Sequence, residues 1–158
     1  MKSTILGLAC LAAVSTAPAA IAANAQLEAP IHQFIDSFNK GDVKGAAAAH
    51  LASGVSIIDE FPPHIWQGPK AFGTWAADLT KGDKAAGVSD EKVTLGAVTR
   101  EVVSGQTAYV IFGATYSFKQ KGVAMREPAQ MTFAMKMSGN AWKIAGWTWT
   151  GPDPTPAK

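Results

Sequence analysis

A single cysteine, Cys10, occurs in 158 residues, and only 16% of the residues are charged. Fourteen basic residues stand against twelve acidic ones, with no run of like charge, for a net charge of +2. That balance leaves no basic footprint for nucleic acid. Beyond residue 25 no apolar stretch approaches the roughly 20 residues that cross a bilayer. No GxSxG, HExxH, P-loop or dinucleotide fingerprint occurs, so nothing supports a nucleophilic hydrolase, a kinase or a dehydrogenase. The hydrophobic share of 47% is ordinary and excludes wholesale disorder. The length suits one domain.

What is present begins with an address. Lys2 is followed by an almost continuously apolar Ile5–Val14, then Pro18 and the small-x-small pattern Ala23-Asn24-Ala25. That is the pattern of a signal peptide spanning residues 1–25, with Ala20-Ile21-Ala22 as an alternative cleavage site. Cleavage implies a periplasmic or secreted protein with no stable membrane insertion. It also removes Cys10, so thiol chemistry and Cys-ligated metals are excluded from the mature chain. The rest divides into one domain, residues 26–150, and a Pro-rich tail, residues 151–158, expected to be extended and flexible.

Periodicity sets the element order. Ile31, Phe34, Ile35 and Phe38 form one apolar stripe of a helix with Pro30 in its first turn. Asp42 can cap a second, alanine-rich helix from Val43 to about Leu51. Val55–Phe61 is expected as a strand ended by Pro62-Pro63. Gly68-Pro69 opens a third helix, which carries Phe72, Trp75, Ala76 and Leu79 on one face and fades at Gly82. Four long strands follow: Lys92–Val103, Thr107–Phe118, Val123–Met137 (kinked near Pro128) and Ala141–Thr150. Tight turns between them force antiparallel pairing. Helices early and strands late give an α+β layer, with the helices on one face of a bent sheet.

Certain residues in this order carry a resemblance. They are Phe34-x-x-x-Phe38-Asn39-Lys40-Gly41-Asp42, the strand Val55–Asp59, Trp66-x-Gly68-Pro69-Lys70-Ala71-Phe72 and Trp142-Lys143-Ile144-Ala145-Gly146-Trp147. Together they resemble the nuclear-transport-factor-two-like superfamily, also called SnoaL-like or ketosteroid-isomerase-like, over residues 28–150. The resemblance implies a cone of order α-α-β-α-β-β-β-β. A curved antiparallel sheet would wrap around three helices, leaving an apolar pocket at the wide end. It also implies homodimers and several unrelated activities, so function must be argued at the site. Steroid-isomerase chemistry needs a carboxylate base and two hydrogen-bond donors to an enolate. At the matching positions stand Ile58, Phe34 and Phe133, so that activity is not expected.

Candidate residues follow from chemistry and place. Asp59 is the candidate general base, with His64 as its partner in acid–base work. Asp59 and Glu60 are adjacent on a strand, so only one is expected to face the pocket. Phe34, Phe38, Trp66, Trp75, Tyr116 and Trp147 are expected to line a site for a small, flat hydrophobic molecule. Trp147 and Trp149 share a strand face, with Trp142 on it only if no bulge intervenes. Met131, Met135 and Met137 alternate as one packing face. Arg126 and Glu127 read as a local ion pair at the Pro128 kink. His50, His32 and His64 lack metal-site spacing, so neither a metal nor a cofactor is expected. The expected function is an exported pocket for a small apolar or aromatic molecule. The alternatives are a cofactor-free acid–base enzyme using Asp59 and a dimeric interaction module.

Overall fold

The computed structural model describes residues 24–158; the targeting segment expected at residues 1–25 lies outside the described residues except for its last two. Helix α1 (Ala25–Asn39) starts a turn and a half earlier than its apolar stripe alone indicates. Asn24 caps it, its side-chain oxygen accepting from the Leu27 N–H at 3.3 Å, and Leu27 extends the buried stripe through Ile31, Phe34 and Ile35. Pro30 therefore sits inside the helix rather than in its first turn.

Helix α2 (Val43–Ala48) is capped by Asp42, which accepts from the Gly45 N–H at 2.9 Å. It stops short of Leu51 because the backbone there is drawn into pairing. Ile144 donates to the Ala49 carbonyl, and Leu51 donates to the Ile144 carbonyl.

Strand β1 (Val55–Ile58) ends three residues earlier than expected. The chain reverses at Asp59, whose N–H donates to the His64 carbonyl at 3.1 Å, and returns as β2 (Ile65–Gly68). The diproline that ends the strand is the turn of a hairpin, and β2 itself was not foreseen. Helix α3 (Ala71–Ala86) buries Ala71, Phe72 and Trp75 and runs through Gly82 to Gly87, whose φ of 70° closes it. In that left-handed conformation glycine has no Cβ penalty.

The remaining strands are β3 (Val88–Ser104), β4 (Thr107–Gln120), β5 (Val123–Ser138), β6 (Ala141–Thr150) and β7 (Thr155–Pro156). Their order, β2-β1-β6-β5-β4-β3 with β7 on β5, makes a curved, unclosed sheet of seven strands around the helices. The sheet is mixed rather than wholly antiparallel: β1 runs parallel to β6, with Ile57 opposite Trp147. The tail is extended, and its residues Thr155 and Pro156 pair with Arg126 and Met125.

Two local expectations are corrected. The β4–β5 register runs unbroken through Thr115 opposite Pro128, so no bulge or register shift forms there. Residues 127–129 lie between the segments of β5 that pair with β7 and β6, so proline interrupts no ladder on that edge. The irregularity falls instead between Ala134 and Met135, where β6 carries an extra residue. That bulge puts Trp142 on the same face as Trp147 and Trp149, opposite Met137, Phe133 and Met131 respectively. Without it Trp142 would point outward, the reverse of the parity first read. The core lies between the helices and this inner face, centred on Phe34, Phe112, Phe133, Met135 and Ile144.

Candidate functional site

A cavity of about 70 Å³ remains at one end of the core. Seven of its thirteen lining residues are aromatic. Phe34 and Phe38 reach it from α1, Trp75 from α3, Tyr116 from β4, and Trp147 and Trp149 from β6. The rings brace one another at steep angles. Trp75 and Trp147 meet at 5.0 Å and 89°, and Tyr116 and Trp149 at 6.2 Å and 81°. A benzene-sized guest occupies an apolar cavity of about 150 Å³. The space here is about half of that.

Five of the six aromatic residues proposed from sequence line the cavity: Phe34, Phe38, Trp75, Tyr116 and Trp147. Trp66 does not. It is buried against Phe61 at 4.9 Å, and its indole N–H donates to Asp78 Oδ2 at 2.9 Å. A wider groove of about 500 Å³ between the helices and β3 shares Phe38, Trp75 and Leu79 as a wall with the cavity. Asp83 and Glu91 line that groove.

Asp59 and Glu60 both line the cavity, contrary to the expectation that only one would. The alternation rule lapses because β1 ends at Ile58 and the two residues lie in the turn. Asp59 Oδ2 accepts from the Trp75 indole at 2.8 Å, and its Oδ1 accepts from the Glu60 N–H at 2.7 Å. Burial lifts the Asp59 carboxyl above the usual range despite those bonds. Glu60 is pushed up to about 7 by burial and by the neighbouring charges of Glu127, Asp59 and Asp153. His64 is exposed, does not line the cavity and lies on the turn with φ of 70°, its Nδ1 3.3 Å from the Asp59 carbonyl. It is not placed to share acid–base work inside the cavity.

Glu127 is the residue that sequence reasoning misplaced. It is fully buried on the inner face of β5, and its Oε1 accepts from the Trp149 indole at 2.6 Å. Its other oxygen, Oε2, is buried and meets no N–H donor, and the Glu127 carboxyl lies within hydrogen-bond reach of the Glu60 carboxyl. Burial raises its pKa, against the opposing pull of the Trp149 bond. No ion pair with Arg126 forms, because neighbours on a strand point to opposite faces; Arg126 instead reaches Thr115 Oγ1 at 3.5 Å. Glu127 shares parity with Met131 and Met135, the signal that marks it as inward. Farther out, the Tyr116 hydroxyl donates to Glu91 Oε2 at 2.9 Å, and burial pushes the phenol pKa up. Asp83 is raised to about 6 by burial and by Glu91 and Asp59.

His50 lies behind the cavity and is buried neutral. Its Nδ1 is 2.9 Å from the Ala46 carbonyl, and its Nε2 accepts from the Trp147 indole at 3.1 Å. With both nitrogens engaged, it positions Trp147 and is not free to act as a base. Among the described residues, no three His, Cys, Asp or Glu side chains are grouped to hold a metal ion.

Comparison with other proteins bears on the fold. No curated protein matches at a significant level. A ketosteroid isomerase-like protein from Erwinia carotovora atroseptica SCRI1043 superimposes with a TM-score of 0.65 at 18% identity, covering 82% of this chain and 96% of its own. A hexachlorocyclohexane dehydrochlorinase from Novosphingobium barchaimii LL02 gives 0.70 at 12% identity, covering 84% and 88%. A nuclear transport factor 2 superfamily protein from Salmonella enterica serovar Typhimurium gives 0.64 at 17% identity, covering 79% and 87%. At these identities the likeness establishes the fold alone. The SnoaL-like domain profile matches residues 27–148, every element from α1 to β6, and the chain belongs to that family.

Proposed function

We propose that this chain is an exported domain that holds a small molecule in its cone, without a cofactor, by enclosing one compact apolar group among aromatic rings. The observation that carries this reading is the aromatic cavity itself. Seven aromatic side chains from four elements and the turn after β1 converge on a space that the core leaves unfilled, whereas interiors normally close such gaps. The volume limits the enclosed group to about half of a benzene-sized guest, with the rest of the molecule outside.

Ligand-observed NMR with fragments of four to six heavy atoms tests this. Binders should compete with one another and be lost in Leu79→Trp, which fills the cavity from α3. Binding that survives in that variant would place the site elsewhere.

A second reading is supported by Asp59 and Glu60, two carboxyls of raised pKa facing one cavity. A carboxylate whose pKa is raised by burial suits proton abstraction, and a protein of this fold is described as a dehydrochlorinase. On this reading Asp59→Asn lowers turnover by about 10²–10⁴; unchanged turnover removes Asp59 from any mechanism. Homodimerisation belongs to the same proposal. Val102 and Tyr109 pair across β3 and β4 and are 45% and 41% exposed, an apolar outer patch that a second copy would cover. Light scattering at tens of micromolar decides it, and a monomer excludes it.

A further inference from the structure

The indole and hydroxyl donors around the cavity are already engaged. The Trp75 and Trp149 indoles are committed to Asp59 and Glu127, the Trp147 indole to His50, and the Tyr116 hydroxyl to Glu91. Among the described residues, no lysine, arginine or histidine lines the space. What remains for a guest is ring faces and carboxylate oxygens.

Acidic groups cluster around this region, and two of them, Asp59 and Glu60, line the cavity itself. Asp59 and Glu60 come from the turn after β1, Glu127 from β5, Asp83 from α3, Glu91 from β3 and Asp153 from the tail. His64 is the one basic group whose charge is felt there, and it acts on Asp59 from the exposed side of the turn. Glu127, wholly buried, lies behind Trp149 and within hydrogen-bond reach of Glu60, so the two carboxyls share a proton or, both ionised, repel each other.

These features discriminate between guests. An anion would find no donor and meet several carboxylates. A neutral apolar group would fill the space but leave the carboxylates facing one another uncompensated. A cation satisfies both surfaces at once, since aromatic faces carry negative potential and attract ammonium groups. We propose that the guest is a small alkylammonium ion, held with its N-alkyl groups against the faces of Trp75, Trp147 and Trp149 and its charge toward Asp59 and Glu60, with Glu127 behind them. This rests on the cavity being a binding site, and it names the class of molecule bound there.

Tetramethylammonium is at least as large as benzene, so the cavity encloses only one or two of its methyl groups and the rest of the ion stands outside. With about five heavy atoms, even the best ligand efficiency stops in the micromolar range, and a dissociation constant of about 0.1–1 mM is expected. The charge preference should be worth about tenfold. Lowering the pH from 8 to 5 protonates Glu60 first and should weaken binding about tenfold.

The test is a tryptophan-fluorescence titration of the protein with tetramethylammonium chloride, sodium chloride at equal ionic strength, and 3,3-dimethylbutan-1-ol as a neutral branched alcohol. Saturable quenching by the ammonium salt, at least tenfold tighter than by the alcohol and weakened in Glu127→Gln and Glu60→Gln, is the expected result. If the alcohol binds as tightly, the charge preference is wrong while the cavity remains a binding site. If neither ligand saturates at 10 mM and the NMR fragments also fail, the reading of the cavity itself falls. Two variants are used because a folding defect from altering the wholly buried Glu127 would not be shared by Glu60→Gln in the turn after β1.

Discussion

Trp75 joins α3 to the turn after β1 by donating its indole N–H to Asp59 Oδ2 at 2.8 Å. The same ring packs edge-on against Trp147, so one side chain both walls the cavity and stabilises the charged form of the carboxylate in it. Trp75→Phe keeps an aromatic wall but leaves the Asp59 oxygen short of a donor. An acceptor deprived of its partner costs about 1–3 kcal/mol. Urea unfolding at pH 7 should show that loss, and the Asp59 pKa read by NMR should move further upward. A variant as stable as the parent would mean that water satisfies Asp59.

His50 predicts a pH effect of definite sign. Its folded pKa is depressed to about 4 from 6.5, by burial first and by Lys143 in addition. A depressed base contributes stability fully above the unfolded value, here about pH 6.5, and loses it as pH falls to the folded value. The shift corresponds to about 3 kcal/mol. The acidic cluster has the opposite dependence, so the comparison should be between the parent and His50→Phe at each pH. Their stability difference should move by about 3 kcal/mol against the parent between pH 7 and pH 4. A constant difference would show that the imidazole does not stay neutral in the folded protein.

Much of the frame was legible because it rests on periodicity. The stripe of Ile31, Phe34, Ile35 and Phe38 fixed which face of α1 meets the sheet, and the alternation of Met131 and Met135 fixed the inner face of β5. Where the reading failed, a local event had reset the period. The bulge beside Ala134 and Met135 reversed the facing of Trp142, and the turn at Asp59 freed two adjacent carboxylates to face one cavity. Glu127 was overlooked for a different reason. A charge beside a charge invites pairing along the chain, whereas strand geometry sends the neighbours apart and Trp149 receives the inward one. His64 looked catalytic only by nearness in sequence to Asp59; the hairpin turn leaves it exposed.

Gly146 reports on the parallel contact that sets β1 against β6. A Cβ added there would lie 2.7 Å from the Ser56 carbonyl oxygen, a backbone atom that cannot rotate away. Gly146→Ala must therefore separate the two strands where Ser56 meets Gly146, next to the Ile57–Trp147 pair. Overpacking of this kind costs about 1–3 kcal/mol. The urea midpoint should fall accordingly, and the tryptophan emission should shift as Trp147 moves. An unchanged midpoint would show that β1 is not held this closely.

The carboxylates at the cavity carry a final consequence for stability. Glu60 has a folded pKa raised from 4.5 to about 7, so its contribution favours the fold below pH 4.5 and is lost as pH rises through 7. Glu127 is raised in the same sense, also by burial. Replacing either with glutamine removes a charge that the native state would rather not hold. Glu60→Gln should therefore raise Tm at pH 8, by about 2–4 °C for each kcal/mol relieved. At pH 4.5 the parent carboxyl is already neutral, and the gain should vanish. Calorimetry at the two pH values checks the pattern. A loss of stability at pH 8 would mean that the ionised group has a cationic partner in the folded protein, and the acceptor-only account of the cavity would then fail.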